Sequence, residues 1–167
     1  QIFRKLKRFS VRLSQLQDIG GTRVIVEQNK DVEELVNFLK DRFEAKKDLK
    51  VIRQTDYRGE GREDSGYRAY HLILERDGYK MEVQIRSKIQ HYWAETIERT
   101  SVIYGHHLKE LDGHPDVIQY FKKLSDLFYE IEAGRTPTAQ LRTKVEELRI
   151  KSEEIIQNAD EKNVFSS

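Results

Sequence analysis

The segment from Ser65 to Arg86 constrains the fold most, because it has the pattern of a β-hairpin. Asp77-Gly78 is the strongest short signal for a two-residue turn, since a type I′ turn requires positive φ at both central residues. The strand predicted after this turn alternates strictly between two classes of side chain. One face carries Tyr79, Met81, Val83 and Ile85, and the other carries Lys80, Glu82, Gln84 and Arg86.

The polar face of this hairpin has two interpretations. A row of charged and amide side chains is compatible with simple exposure to solvent. However, the first strand of the hairpin is predicted to begin with Gly66-Tyr67-Arg68, and it also carries His71. A ring that can stack, several cations and a carboxylate on neighbouring strands suit a nucleotide-phosphate site, which is the functional interpretation.

The composition excludes several classes of function. The 167 residues suffice for one domain with a core, and a net charge of +1 gives no overall attraction to nucleic acid or membranes. The absence of cysteine excludes disulfides, thiol catalysis and cysteine-based zinc sites. No apolar segment is long enough to span a membrane, and no signal peptide is visible. We therefore expect a cytoplasmic protein with a local basic site.

The order of predicted elements before the hairpin indicates an α/β fold. Amphipathic periodicity predicts helices over residues 2–16 and 31–43, the second with a capping box formed by Asp31 and Glu34. β-branched segments predict strands over Thr22–Val26 and Leu49–Thr55. Helix, strand, helix, strand and hairpin together predict a mixed β-sheet flanked by helices.

The C-terminal part of the chain is predicted to be helical. A long helix is expected from Lys88 to Lys109, a second from Pro115 to Gly134, and a last one from Pro137. The last helix has a narrow apolar seam that suits packing on the domain or pairing with another chain. We therefore predict a domain over residues 1–110 and a helical extension over residues 111–167 that either packs on the domain or forms a homo-oligomer.

Two features near the N-terminus have both a structural and a functional interpretation. The arginine stripe Arg4, Arg8 and Arg12, with Lys5 beside it, is either a solvated helix face or an anion-binding clamp. Asp18, which precedes Gly20-Gly21, either terminates the preceding helix or binds magnesium with phosphates supplying further oxygens.

Four short motifs occur in this order along the chain: Ile2-x-x-Lys5-Leu6-x-Arg8, Asp18-Ile19-x-Gly21-x-Arg23, Ser65-Gly66-Tyr67-Arg68-x-Tyr70-His71 and Glu82-Val83-Gln84-Ile85-Arg86. They resemble the synthetase domain of the RelA/SpoT family, the nucleotide pyrophosphokinases that make (p)ppGpp. Each motif is weak alone, but together they form a specific pattern from about Ile2 to Lys109. No histidine-rich hydrolase motif precedes them, so we expect synthesis without (p)ppGpp hydrolysis, and in this the chain resembles the stand-alone small alarmone synthetases.

The resemblance implies a nucleotidyltransferase-like fold and a GTP pyrophosphokinase activity of the stringent response. In this reaction the β,γ-pyrophosphate of ATP moves to the 3′-hydroxyl of GTP or GDP. Asp18 and Glu82 would hold Mg²⁺ on the ATP phosphates, and Glu82 would also accept the proton of the attacking hydroxyl. Lys5, Arg8 and Arg23 would neutralise phosphates or stack on adenine.

The same resemblance implies an acceptor site. Tyr67 would stack on the acceptor base, and Gln84, Arg68 and His71 would position its ribose and phosphates, with Arg62 as a nearby cation. The structural alternatives are that Tyr67 is ordinary strand packing and that His71 is a hydrogen-bonded structural histidine.

The sequence leaves the identity of the acceptor open. Glu63 and Asp64 stand where the family usually carries lysines, and they would repel acceptor phosphates. Toxic relatives pyrophosphorylate adenine nucleotides or the 3′ end of tRNA, so either acceptor is an alternative. A third interpretation is a degenerate nucleotide-binding or interaction module that works through its C-terminal helices. The presence of both Asp18 and Glu82 argues against such a module.

Overall fold

The computed structural model describes residues 20–46 and 48–164, which form two compact units. The first unit contains residues 20–59 and Arg68–His91, and the second contains Glu60–Tyr67 and residues 92–164. The helix predicted over residues 2–16 lies outside the described residues. The predicted domain boundary at residue 110 stays a prediction.

The first unit is built on a four-stranded sheet with the strand order β1-β4-β3-β2. β1 pairs with β4 in parallel, whereas the β4–β3 and β3–β2 pairs are antiparallel. The prediction of a mixed α/β sheet flanked by helices is therefore confirmed. The strands are β1 (Gly20–Val26), β2 (Lys50–Asp56), β3 (Tyr70–Arg76) and β4 (Tyr79–Ser87).

The turn between β3 and β4 confirms the hairpin prediction. Asp77 and Gly78 both have positive φ, at 52° and 79°, as a type I′ turn requires. The alternation of β4 is also confirmed, because Val83 and Ile85 are buried in the core. At the turn end of the strand the apolar side is uncovered, and Tyr79 is 81% exposed.

Helix α1 (Asn29–Glu44) covers one face of this sheet. Its residues Val32, Leu35 and Val36 are buried in one core cluster with side chains of β1, β3 and β4. The predicted Asp31–Glu34 capping box is wrong, because the helix begins two residues earlier. Asp31 therefore occupies the third helical position, where its Oδ2 accepts a hydrogen bond from the Gln28 backbone N at 3.0 Å.

The first hairpin strand is shorter than predicted. Gly66, Tyr67 and Arg68 precede β3, which begins at Tyr70, so they lie in the loop. The reason is local, because Gly66 has φ of +76°, which an extended strand does not allow.

Helices dominate the second unit. Helix α2 (Lys88–Tyr104), which belongs to this unit from Tyr92 onward, is shorter than predicted because Gly105 takes φ of +76° and ends it. A short 3₁₀ helix follows at Leu108–Glu110. Helix α3 (Pro115–Glu132) begins at the predicted proline. The last helix, α4 (Ala139–Val164), begins two residues after Pro137.

The core of the second unit joins these helices. Trp93 of α2 is 2% exposed and its Nε1 donates a hydrogen bond to the Phe121 carbonyl of α3 at 2.8 Å. Val145 and Leu148 of α4 are buried, and Ile155 packs against the same cluster as Trp93. The apolar seam of the last helix therefore packs within this unit, and pairing with another chain stays a prediction.

No helix in residues 20–46 and 48–164 is long and apolar enough to cross a membrane.

Candidate active site

The candidate site lies on the sheet face opposite α1, where polar side chains of β1, β3 and β4 meet. Alternation along β4 directs Val83 and Ile85 to the core, and it therefore directs Glu82 and Gln84 to the other face. In the sheet register, both Arg23 of β1 and His71 of β3 stand opposite Gln84. Three neighbouring strands thus bring four of the predicted site residues together.

This polar row is not a simple solvated face. Gln84 is 9% exposed and Arg86 only 1% exposed. The Arg86 Nη2 lies 2.6 Å from Nδ1 of His91, in the first turn of α2. Burying such groups is unfavourable unless they have polar partners, so the arrangement of this row is specified by its contacts.

Glu82 contacts a histidine on the neighbouring strand. Its Oε1 lies 2.8 Å from Nδ1 of His71, and both side chains are about one-fifth exposed. The His71 ring also makes an edge contact with Tyr57, with centroids 5.3 Å apart. Two neighbours therefore orient His71.

Gln84 continues the network in the other direction. Its Nε2 donates to Oε2 of Glu82 at 2.9 Å, and its Oε1 accepts from both Nε and Nη2 of Arg23 at 3.3 Å. Both carboxylate oxygens of Glu82 are thus contacted, one by His71 and one by Gln84. The contacts form a continuous chain from β1 across β4 to β3, which fixes the Glu82 carboxylate in one orientation.

The described residues provide only some of the ligands that a divalent cation requires. Mg²⁺ prefers oxygen ligands and commonly takes one or two carboxylates from protein and the remaining oxygens from phosphates and water. Glu82 would supply one such carboxylate. Within residues 20–46 and 48–164, no group of three or more His, Cys, Asp or Glu side chains could hold a metal by itself. The donor chemistry therefore suits an ion that arrives with nucleotide phosphates.

Three predicted site residues, Lys5, Arg8 and Asp18, lie outside the described residues. Their roles, including the shared metal site of Asp18 and Glu82, stay predictions.

Arg68, predicted to contact the acceptor, makes backbone contacts in this structure. Its side chain is buried, and its Nη1 donates to the Arg58 carbonyl at 2.8 Å and also to the Gly59 carbonyl. These bonds hold the backbone that follows β2. The acceptor role of Arg68 stays a prediction.

Arg58 forms ion pairs that the sequence analysis did not predict. It donates from Nε and Nη2 to the two oxygens of Asp56, at 2.9 and 2.7 Å, and from Nη2 to Glu33 of α1 at 2.6 Å. Burial raises the pKa of Asp56, but the hydrogen bonds and charge of Arg58 outweigh it and lower that pKa. The spacing of Asp56 and Arg58 was a usable local signal, whereas Glu33 is 25 residues away.

The acidic loop residue Asp64 is paired within the second unit. Its Oδ2 lies 2.8 Å from Nη2 of Arg62. Burial raises the pKa of Asp64, but hydrogen bonds from Arg62 and Ser65 outweigh it and lower that pKa. Arg62 therefore offsets one of the two negative charges that the sequence places before Ser65. The acceptor role of Arg62 stays a prediction.

Tyr67, the predicted stacking residue, is half-buried in the same unit. Its ring packs against the apolar cluster that contains Trp93 and Phe121, and its backbone N donates to Oγ of Ser65 at 3.4 Å. The structure thus gives Tyr67 a packing partner, and stacking on an acceptor base stays a prediction.

Comparison with known proteins gives the family of the chain. The family described as "Region found in RelA / SpoT proteins" matches residues 1–109. The chain is 36% identical to GTP pyrophosphokinase YjbM of Bacillus subtilis (strain 168), over 59% of this chain and 49% of that protein. It is 32% identical to GTP pyrophosphokinase YwaC of the same organism, over 47% of this chain and 39% of that protein.

A known crystal structure has a similar fold. The crystal structure of small alarmone synthetase 1 from Bacillus subtilis, bound to its product pppGpp, matches with a TM-score of 0.55 and 25% identity, covering 78% of this chain and 64% of that one. The chain spans about half or less of the length of the two pyrophosphokinases above. The family match nevertheless extends over more than half of this chain, from residue 1 to residue 109. The chain therefore belongs to the RelA/SpoT family.

Proposed function

We propose that this chain is an ATP:nucleotide 3′-pyrophosphokinase that makes (p)ppGpp from ATP and GTP or GDP. Membership of the RelA/SpoT family and likeness to two GTP pyrophosphokinases support this activity. The structural observation that carries the proposal is the chain of contacts from Arg23 through Gln84 and Glu82 to His71. It aligns a carboxylate, an amide, an imidazole and a guanidinium on one sheet face.

These groups suit pyrophosphoryl transfer. The 3′-oxygen of the acceptor attacks the β-phosphorus of ATP, the bond from that phosphorus to the α,β-bridging oxygen breaks, and AMP leaves. Glu82 accepts the proton of the attacking hydroxyl, a step for which a carboxylate within hydrogen-bond reach is needed. Phosphoryl-type transfer depends mainly on alignment and charge neutralisation, and the two contacts on Glu82 provide the alignment.

The proposal includes Mg²⁺ and two nucleotide-binding groups of residues. Mg²⁺ held by Asp18 and Glu82 would neutralise charge on the ATP phosphates. Arg23, with Lys5 and Arg8, would bind the ATP side.

On the acceptor side, Tyr67 would stack on the base, while Arg62, Arg68, His71 and Gln84 would position ribose and phosphates. The pairing of Arg62 with Asp64 supports a phosphate-bearing acceptor, because it offsets a negative charge in the loop.

The test is an acceptor panel. The protein is incubated with Mg²⁺ and γ-labelled ATP in the presence of GDP, GTP, ADP or deacylated tRNA, and the products are separated. We expect label on the guanine nucleotides together with an equal amount of AMP. Label only on ADP or tRNA would contradict the proposed acceptor and support the toxin-like alternative. No label on any acceptor, with nucleotide binding retained, would support a binding or interaction module.

The same assay applied to Glu82→Gln should give little label, and its matched control removes a carboxylate elsewhere. Glu34 lies on the exposed side of α1 and differs from Glu82 only in its surroundings. Glu34→Gln should therefore leave the labelling pattern unchanged.

Assembly through the C-terminal helices is a separate prediction. The mass of the protein in solution would test it.

A further inference from the structure

We infer that Lys122 and Ser125 of helix α3 are positioning residues that hold the acceptor loop, Glu60–Tyr67, in the conformation that receives the acceptor nucleotide. This inference rests on the proposed function, because it assigns these two residues to the binding of its second substrate. All the contacts that carry it lie within the second unit.

The acceptor loop first closes on itself through its backbone. The Gly66 N donates to the Arg62 carbonyl and the Arg62 N donates to the Tyr67 carbonyl, both at 2.8 Å. Gly61 and Gly66 both have φ of +76°, and a Cβ on Gly61 would lie 3.3 Å from the Gly66 carbonyl oxygen. The two glycines therefore allow a tight loop with Arg62 at one side and Tyr67 at the other.

The closed loop then rests directly on α3. The Ser125 Oγ donates to the Gly66 carbonyl at 2.5 Å, and the Lys122 Nζ donates to the Glu63 carbonyl. A Cβ on Gly66 would lie 3.1 Å from the Lys122 Cα, so the loop backbone is nearly in contact with the helix backbone. Gly66 and Ser125 are both buried.

The spacing of these two residues on the helix explains why they act together. Residues three apart lie on one helical face, so Lys122 and Ser125 reach the same side of α3. They bind two carbonyls that flank Asp64 and Ser65. Lys123, the next residue, instead pairs with Asp126 at 3.3 Å on its own helix. Lys122 therefore contacts the acceptor loop, whereas the neighbouring Lys123 contacts a residue of its own helix and serves as a matched control.

The position of the loop matters because a small displacement of a substrate-binding group lowers the fraction of substrate that is bound in a reactive geometry. Arg62 and Tyr67, both predicted to contact the acceptor, lie on the segment that these two bonds fix. A loop released from α3 would sample many conformations, and acceptor binding would then carry the cost of ordering it. The expected signature is a higher KM for the acceptor with an unchanged KM for ATP.

The experiment compares Ser125→Ala and Lys122→Met with Lys122→Arg and with the matched control Lys123→Met. Hydrogen exchange of the peptide that covers residues 60–67 reports loop order, and calorimetric titration with GDP together with transfer kinetics reports acceptor binding. We expect faster exchange and an acceptor KM raised about fivefold in Ser125→Ala and Lys122→Met. Lys122→Arg, which keeps a donor, and Lys123→Met should resemble the parent. Melting temperatures of all variants check that each one folds.

Each result decides the inference. Unchanged exchange in Ser125→Ala and Lys122→Met would overturn the loop contact. Faster exchange with unchanged GDP binding, or with equal rises in the KM of ATP and acceptor, would overturn the positioning role. A parent protein that binds GDP but labels no acceptor would contradict the proposed function instead, and exchange with the GDP titration would still decide the role of Lys122 and Ser125.

Discussion

Nδ1 of His71 lies 2.8 Å from Oε1 of Glu82, across the two strands of the hairpin. The residue directly opposite Glu82 is Ile73, and His71 reaches the carboxylate diagonally from the position opposite Gln84. The pair therefore depends on the register that the Asp77-Gly78 turn sets, because a shift by one residue would move Glu82 to the core face.

His71 should matter for the rate of transfer more than for stability. Removing a group that orients a metal ligand typically lowers activity 10- to 100-fold. Because we propose that Glu82 holds Mg²⁺, we expect His71→Ala to lower kcat by about this factor. Steady-state kinetics with ATP and GDP would measure it. His107→Ala changes an exposed histidine elsewhere and is the control. A loss of less than threefold in His71→Ala would show that the contact does not orient Glu82.

Arg23 and Gln84 should be energetically coupled. The Gln84 amide binds Arg23 through its oxygen and Glu82 through its nitrogen, so removing either end changes the effect of the other. A double-mutant cycle with Arg23→Met and Gln84→Ala should give a coupling of about 0.5–3 kcal/mol in transition-state stabilisation. The cycle is measured through kcat/KM. Additive effects of the two changes would contradict the network.

Arg58 should stabilise the first unit near neutral pH. Arg58→Met removes the bonds to Asp56 and Glu33 and should lower the free energy of unfolding by about 1–3 kcal/mol. Both carboxylates can regain water, since their side chains are 43% and 59% exposed, which limits the loss. Urea unfolding would measure the change, and a loss below 0.3 kcal/mol would contradict the anchoring role.

The effect of Arg58→Met on the free energy of unfolding should depend on pH. The pKa of Asp56 is lowered in the folded protein from its ordinary value of 3.8, so its stabilising effect is complete above that value. It is lost as pH falls through the lowered folded pKa. The stability difference between the parent and Arg58→Met should therefore shrink as pH falls from about 5 to about 2. A difference that stays constant or grows would contradict the sign of this shift.

The hairpin turn should be sensitive at Gly78. Gly78→Ala should lower the free energy of unfolding by about 1–2 kcal/mol, because φ of +79° is unfavourable for a residue with a Cβ. No atom lies within 4 Å of the added Cβ, so the effect is conformational and not a clash. Chemical denaturation would show it. Asp77→Asn is the control, since asparagine tolerates positive φ; equal losses in both variants would contradict this explanation.

Much of the hairpin could be predicted from local sequence. The turn residues and the strict alternation of β4 fix which side chains share the face of Glu82, and Arg23 follows from its place in a β-branched strand. Gly105 and the early start of α1 were missed for a local reason, because helix ends are specified by caps and by single positive-φ residues that periodicity does not register.

The tertiary contacts were not predictable in the same way. Arg58 binds Glu33 across 25 residues, and Ser125 binds Gly66 across 59. No local pattern distinguishes Lys122, which holds the loop, from Lys123, which holds its own helix. The sequence predicted which residue types form the site, whereas the packing of helices determines what keeps them in place.

The central claim is that Glu82 acts in the transfer of pyrophosphate, and Glu82→Gln tests it most directly. The change keeps the size of the side chain and one oxygen acceptor but removes the charge and the capacity to accept a proton. Single-turnover transfer from γ-labelled ATP to GDP should fall by at least about 100-fold, while the affinity for GDP changes little. Transfer at the parental rate by Glu82→Gln would contradict the account.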